Sequence, residues 1–171
     1  KAKSLSTNDQ LAMRSSILNL LLNQSQFSSD KLPTLELLSQ EFEIQDYELG
    51  EQIAIEPNAS PNSDPSSDNV QYFFLICEGR VRLLGFDADK KREASANLLL
   101  EGEIFGAHSF WYESPLSYKV QAASKVQVAR ITLEKLKPFL KKLPELALKW
   151  QIVIKKKKKL LFFKTLTELR Y

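Results

Sequence analysis

The chain is short of the residues that most often carry chemistry. Its 171 residues include one cysteine, one histidine, one methionine and five glycines. A single cysteine excludes an intrachain disulfide. It is Cys77, inside the apolar run Tyr72-Phe73-Phe74-Leu75-Ile76-Cys77, where a buried structural thiol is expected rather than a nucleophile. A single histidine, His108, excludes a multi-histidine metal centre. No P-loop, nucleophile–base pair or metal-ligand cluster stands out, so a non-catalytic protein is expected. No apolar run is long enough to span a bilayer. The opening Lys1-Ala2-Lys3-Ser4 is not a secretory leader. A cytoplasmic setting is expected, with the cytoplasmic side of a membrane protein as the variant. The start on Lys1 suggests a piece cut from a longer protein.

What is present is an ordinary globular composition with uneven charge. The length suits one domain with helical extensions. The formal net charge is +3. Residues 134–171 hold twelve basic and three acidic side chains, whereas residues 1–133 hold twelve basic and eighteen acidic ones. An acidic body thus carries a basic tail.

Three segments follow from the periodicity. Residues 1–40 read as helical. Leu11, Ile17, Leu18, Leu21 and Leu22 recur at helical spacing, with Ser6, Thr7 or Asn8 as cap. Leu32-Pro33-Thr34 opens a second short helix, since proline suits a first turn. Residues 41–132 read as strands. Phe42, Ile44, Ile53 and Ile55 alternate with polar residues, and Gly50 turns between them. Residues 57–69, PNASPNSDPSSDN, form a mobile surface loop. Val70–Cys77 is a continuous apolar strand. Glu78-Gly79 is a tight turn, after which Arg80–Phe86 returns. Asp87–Lys91 is a charged hairpin tip, followed by Glu93–Leu100. Val120–Ile131 supplies two more strands. Residues 133–171 read as C-terminal helices and a basic linker. Thr132 caps the first helix, Leu133, Leu136, Phe139 and Leu140 form its stripe, and Leu143-Pro144 ends it. The expected fold is mainly β with flanking helices, an antiparallel jelly roll.

These motifs, taken in order, resemble a family. Tyr47-Glu48-Leu49-Gly50-Glu51-Gln52-Ile53, Tyr72 through Val81, Gly102-Glu103-Ile104-Phe105-Gly106, and Leu143-Pro144-Glu145-Leu146-Ala147 are similar to the successive motifs of cyclic-nucleotide-binding domains. The resemblance covers roughly residues 35–150, and four of the five glycines, Gly50, Gly79, Gly102 and Gly106, sit at its motif positions. It implies a regulatory barrel in which a cyclic phosphate is held by backbone N–H groups at a short helix start. An arginine grips the phosphate, and a glutamate after the second glycine accepts the ribose hydroxyl.

The grip is where this sequence departs from the family. Ala107 stands at the glutamate position and Leu116 at the arginine position, while Tyr118-Lys119 replaces an Ala-Thr pair. Each lost charged partner costs about 1.5–3 kcal/mol, so together they weaken binding roughly a hundredfold or more. The candidate ligand residues are therefore Gly102, Phe105, Gly106, Ala107, His108, Leu116, Ser117 and Lys119, read as a degenerate cassette. Ser117 keeps a small hydroxyl. Lys119 either replaces the lost cation or alternates outward into solvent, and the second is favoured. His108 is either a pocket donor or a structural residue. Trp111 and Tyr112 either close an emptied pocket or belong to the core. No cofactor is expected; a cyclic nucleotide is the ligand the frame admits, and the substitutions disfavour it.

The tail adds partners. Lys155–Lys159 covers more than one helical turn, so it cannot be buried. It reads as a solvated segment or as a contact with an anionic membrane surface or nucleic-acid phosphates. A homodimer through the C-terminal helix would pack Trp150, Val153 and Leu160 across a two-fold axis. No DNA-reading helix-turn-helix is present, so sequence-specific DNA binding is not expected. Leu161 to Arg170 resembles the join after an N-terminal domain of this kind in cyanobacterial ATP-binding-cassette peptide exporters. The expected function is a regulatory or interaction module serving other domains of a larger protein. The alternative is a small-ligand sensor with altered pocket chemistry.

Overall fold

The computed structural model describes residues 7–53, 72–87, 92–106 and 118–153. The expected 57–69 loop, the Lys155–Lys159 run and, apart from Asp87, the expected Asp87–Lys91 hairpin tip lie outside the described residues. Two helices come first, α1 (Thr7–Leu22) and α2 (Leu32–Gln40). They are followed by β1 (Glu43–Tyr47), β2 (Gln52–Ile53), β3 (Tyr72–Glu78), β4 (Val81–Asp87) and β5 (Arg92–Leu99). Next come β6 (Ile104–Gly106), β7 (Tyr118–Ala122), β8 (Val126–Thr132) and α3 (Leu133–Lys142). A last helix, α4, runs over 144–153 among the described residues.

The strands form two antiparallel four-stranded sheets, ordered β1-β8-β3-β6 and β2-β7-β4-β5. This is the expected β-rich fold with flanking helices. One expectation needs correction. The strand after Glu78-Gly79 does not return beside β3, because β3 pairs with β6 and β8 while β4 pairs with β5 and β7. The turn carries the chain from one sheet to the other.

The first sheet is buried on both faces along β3 and β6, whereas its edge strand β1 is half-exposed. Phe73 and Leu75 of β3, Ile104 of β6, and Ala129 and Ile131 of β8 face the helices. Phe74, Ile76, Phe105, Val126 and Val128 face the second sheet. Successive strand residues point to opposite faces, so a strand with two buried faces must be apolar throughout. That is why β3 reads as a continuous apolar run. The second sheet has one wet face. Val81, Leu83, Leu99, Val120 and Ala122 are buried, while Arg82, Leu98 and Lys119 are exposed.

The helices cover the outer face of the first sheet. Ile17 and Leu21 of α1, Leu35 and Leu38 of α2, and Leu133, Leu136 and Leu140 of α3 share one core with Leu143, Leu146 and Trp150. Leu11, expected on the buried stripe of α1, is 55% exposed. Pro33 stands in the first turn of α2. Thr132 caps α3, its hydroxyl accepting from the Lys135 N–H at 3.4 Å. Glu134 in the first turn and Lys141 and Lys142 in the last complement the helix dipole. Leu143 then ends α3, and its carbonyl accepts from the N–H groups of Leu146 and Ala147, both at 3.1 Å.

Cys77 occupies a bulge. Ile76 pairs with Val128 and Glu78 with Gln127, leaving Cys77 as the extra residue on β3. Its side chain is half-buried, and burial pushes the thiol up to about 11. An unfolded thiol titrates near about 8.5. The folded chain therefore holds this proton longer. Its contribution to stability is full below the unfolded value and declines as pH rises toward the folded one. At pH 8, alkylation of Cys77 by iodoacetamide should be roughly a hundredfold slower in the native chain than in urea. Equal rates would contradict a buried structural thiol.

Candidate functional site

The candidate cassette begins where β5 turns into β6. Leu100–Glu103 is a closed turn: the Glu103 N–H donates to the Leu100 carbonyl at 3.1 Å, and the Glu103 carboxylate accepts from the Leu100 N–H at 2.6 Å. The turn is pinned to β3, since Gly102 N–H donates to the Ile76 carbonyl at 2.8 Å and Ile76 N–H to the Glu103 carbonyl at 3.0 Å. Glu103, the acidic residue of the glycine motif, thus has a local structural task.

Beyond the turn, β6 lays Phe105 into the space between the sheets. Its ring stacks on Phe74 with centroids 4.7 Å apart and planes within 4°. Phe105 is 1% exposed. Gly106 follows with φ +92°, pressed against β3. A Cβ there would sit 2.6 Å from the Tyr72 carbonyl oxygen and 3.1 Å from Phe74 Cδ2. The glycine is demanded by strand packing and backbone conformation together, with no ligand needed to explain it.

Among the candidate residues, Gly102, Phe105 and Gly106 are brought together on this turn and strand. Ala107, His108, Leu116 and Ser117, with Trp111 and Tyr112, lie outside the described residues. Lys119 is exposed on the face of β7 opposite to buried Val120 and Ala122. It does not join Phe105 between the sheets.

One cation on the inner side escaped the sequence reading. Arg130 lies on the same face of β8 as Val126 and Val128, stacks 4.3 Å over the Tyr72 ring and pairs with Glu43 at 3.3 Å. Burial raises the Tyr47 hydroxyl pKa, and the nearby Arg130 charge opposes that rise. The alternation of Val126, Val128 and Arg130 was the available signal. Arg130 is already engaged by a carboxylate and a ring.

A second missed group joins the cassette turn to the helices. The Gln24 side-chain amide donates to the Leu20 carbonyl at 3.0 Å and to the Gly102 carbonyl at 2.9 Å, and accepts from Trp150 Nε1–H at 3.0 Å. Trp150 itself is fully buried against Phe73, with ring centroids 4.4 Å apart. This corrects the expectation for Trp150. It cannot pack across a two-fold axis, because its own chain encloses it.

Residues 66–142 match the family model for the cyclic nucleotide-binding domain. Together with the two sheets and flanking helices, this makes the chain similar in fold to cyclic nucleotide-binding domains. Among solved structures, the chain is similar to the catabolite activator protein of Thermus thermophilus. The identity is 19% and the TM-score 0.62, over 88% of this chain and 63% of that one. It is also similar to the regulatory domain of Toxoplasma gondii protein kinase A with cAMP (14% identity, TM-score 0.63, 89% of this chain and 52% of that one). A third is the regulatory subunit of a cAMP-independent protein kinase A from Trypanosoma cruzi bound to guanosine. There the identity is 19% and the TM-score 0.56, over 90% of this chain and 54% of that one. The chain thus spans between about half and two thirds of the length of these proteins. No curated protein is detectably similar in sequence.

Replacing Gly106 by alanine should destabilise the fold by about 2–4 kcal/mol, combining an unfavourable backbone conformation with a clash. At Gly50, with φ +89° and nothing within 4 Å of a built Cβ, alanine should cost about 1–2 kcal/mol from the backbone alone. Urea denaturation of the two variants checks the order; an equal or smaller loss at Gly106 would contradict the packing role.

Proposed function

We propose that this chain is a non-catalytic regulatory or interaction module whose cyclic-nucleotide cassette has lost its ligand grip. The observation that carries the reading is the pairing of Gly106 with Ala107. The glycine is held by the Tyr72 carbonyl at 2.6 Å from its would-be Cβ, so its retention speaks for the scaffold. The following residue, where the family places its ribose-binding carboxylate, is Ala107, and Leu116 stands in the arginine position. Lys119 on the outer face and Arg130 paired with Glu43 support the same reading, since neither offers a cation between the sheets to an incoming phosphate. The module serves other domains of a larger protein, for which a peptide exporter of the ATP-binding-cassette type is the parent that the tail suggests. Lys155–Lys159 then meets an anionic membrane surface, and the setting is cytoplasmic.

A second reading is a sensor for another small ligand. It is favoured by the Trypanosoma cruzi relative, described as cAMP-independent and bound to guanosine. Ser117, His108 and the Gly106-Ala107 backbone would form that site.

Isothermal titration calorimetry separates the two. The native chain should give no heat with cyclic AMP or cyclic GMP up to roughly 100 μM. The double variant Ala107→Glu with Leu116→Arg should gain about a hundredfold in affinity for cyclic AMP. Micromolar binding by the native chain would sink the degenerate-cassette reading, and a shift in melting temperature with guanosine alone would favour the sensor.

A further inference from the structure

The Gln24 amide sits where three parts of the fold meet. It closes the end of α1 through the Leu20 carbonyl at 3.0 Å. It holds the turn that leads into β6 through the Gly102 carbonyl at 2.9 Å, and it holds α4 through the Trp150 indole N–H at 3.0 Å. The chemistry fixes its orientation. An indole N–H only donates and a backbone carbonyl only accepts, so only one rotamer of the amide satisfies all three partners. Glutamate, with no donor when ionised, cannot replace it.

Neither neighbour is held loosely elsewhere. Trp150 is fully buried and its ring packs on Phe73 of β3. The turn is bonded to Ile76 of the same strand, with the Gly102 N–H at 2.8 Å. Leu20 approaches the turn as well, with its Cδ2 3.8 Å from where a Gly102 Cβ would be. A displacement of the turn therefore either carries the amide with it or breaks one of its hydrogen bonds. The Trp150 indole N–H is fully buried and costly to leave without a partner, so its bond to the half-buried Gln24 amide ties the amide's other two contacts to the docking of α4.

We propose that Gln24 is the coupling residue of this chain. It links the position of the Leu100–Glu103 turn, at the entrance to the cassette, to the docking of α4, and it does so through the end of the N-terminal helix. Whatever moves the turn is thereby felt at α4, and whatever pulls on α1 or α4 is felt at the turn. The coupling belongs to the unliganded chain. It goes beyond the regulatory reading above and stands or falls separately from ligand binding.

Residue-resolved hydrogen exchange on the 171-residue chain, without ligand, tests it. Trp150→Phe keeps the ring on Phe73 and removes only the indole donor. It should speed exchange of the Gly102 and Glu103 amides by roughly tenfold relative to the amides of Leu83 and Val120 in the other sheet. Gln24→Glu keeps the acceptor for Trp150 and loses both donors. It should loosen the same turn and also the amides near Trp150. In the double variant the two effects on the turn should fall short of their sum in free energy. If Trp150→Phe leaves Gly102 and Glu103 unchanged, the contacts are independent and the proposal is overturned. It is equally overturned if all strands exchange faster by the same factor, because that reports global stability rather than coupling. Should Trp150→Phe fail to fold, the effect of Gln24→Glu on the amides of α4, whose acceptor it keeps, decides alone.

Discussion

The structure depends on one strand, β3, being buried on both sides. Phe73 and Leu75 point to the helices, Phe74 and Ile76 to the opposing sheet, and all four are fully buried. Burial of a large apolar side chain contributes on the order of 1.5–3 kcal/mol, so this strand alone anchors both halves of the core. It also forbids slippage, since a one-residue shift would exchange its two faces and with them every neighbour. β6 and the cassette turn are hung from this strand by backbone hydrogen bonds. The geometry at Gly102 and Gly106 is therefore a property of the core before it is a property of any site.

That dependence explains how much of the molecule the sequence makes legible. Apolar alternation and the turns at Gly50 and Gly79 mark the strands, and Thr132 and Leu143-Pro144 mark the start and end of α3. Periodicity states which face of a strand is buried but does not name its partner. The Glu78-Gly79 turn therefore reads as a hairpin although it changes sheets. β6 has three residues, too few for any period, and hides inside the glycine motif. Leu11 fits a helical stripe by spacing, yet the stripe extends past the end of the core.

The long-range polar contacts are the least legible. Gln24 lies in the turn after α1 and Trp150 on a helix that invites a dimer reading, and they meet across 126 positions. No local pattern reveals a hydrogen bond that exists only once the helices are docked. Arg130 sits in plain alternation with Val126 and Val128. Its engagement by Glu43 and Tyr72 depends on the register of β1 and β3 against β8.

In the proposed reading, this chain keeps the cassette frame for its own packing while the ligand grip has gone. The most direct measurement is a ¹H–¹⁵N NMR titration with cyclic AMP, following the glycine amides. The chain has only five glycines, so their region of the spectrum is simple. The Gly102 and Gly106 cross-peaks should stay in place up to about 1 mM nucleotide, a concentration that only millimolar or weaker affinity leaves unanswered. A saturable shift of Gly106 at micromolar nucleotide would contradict it.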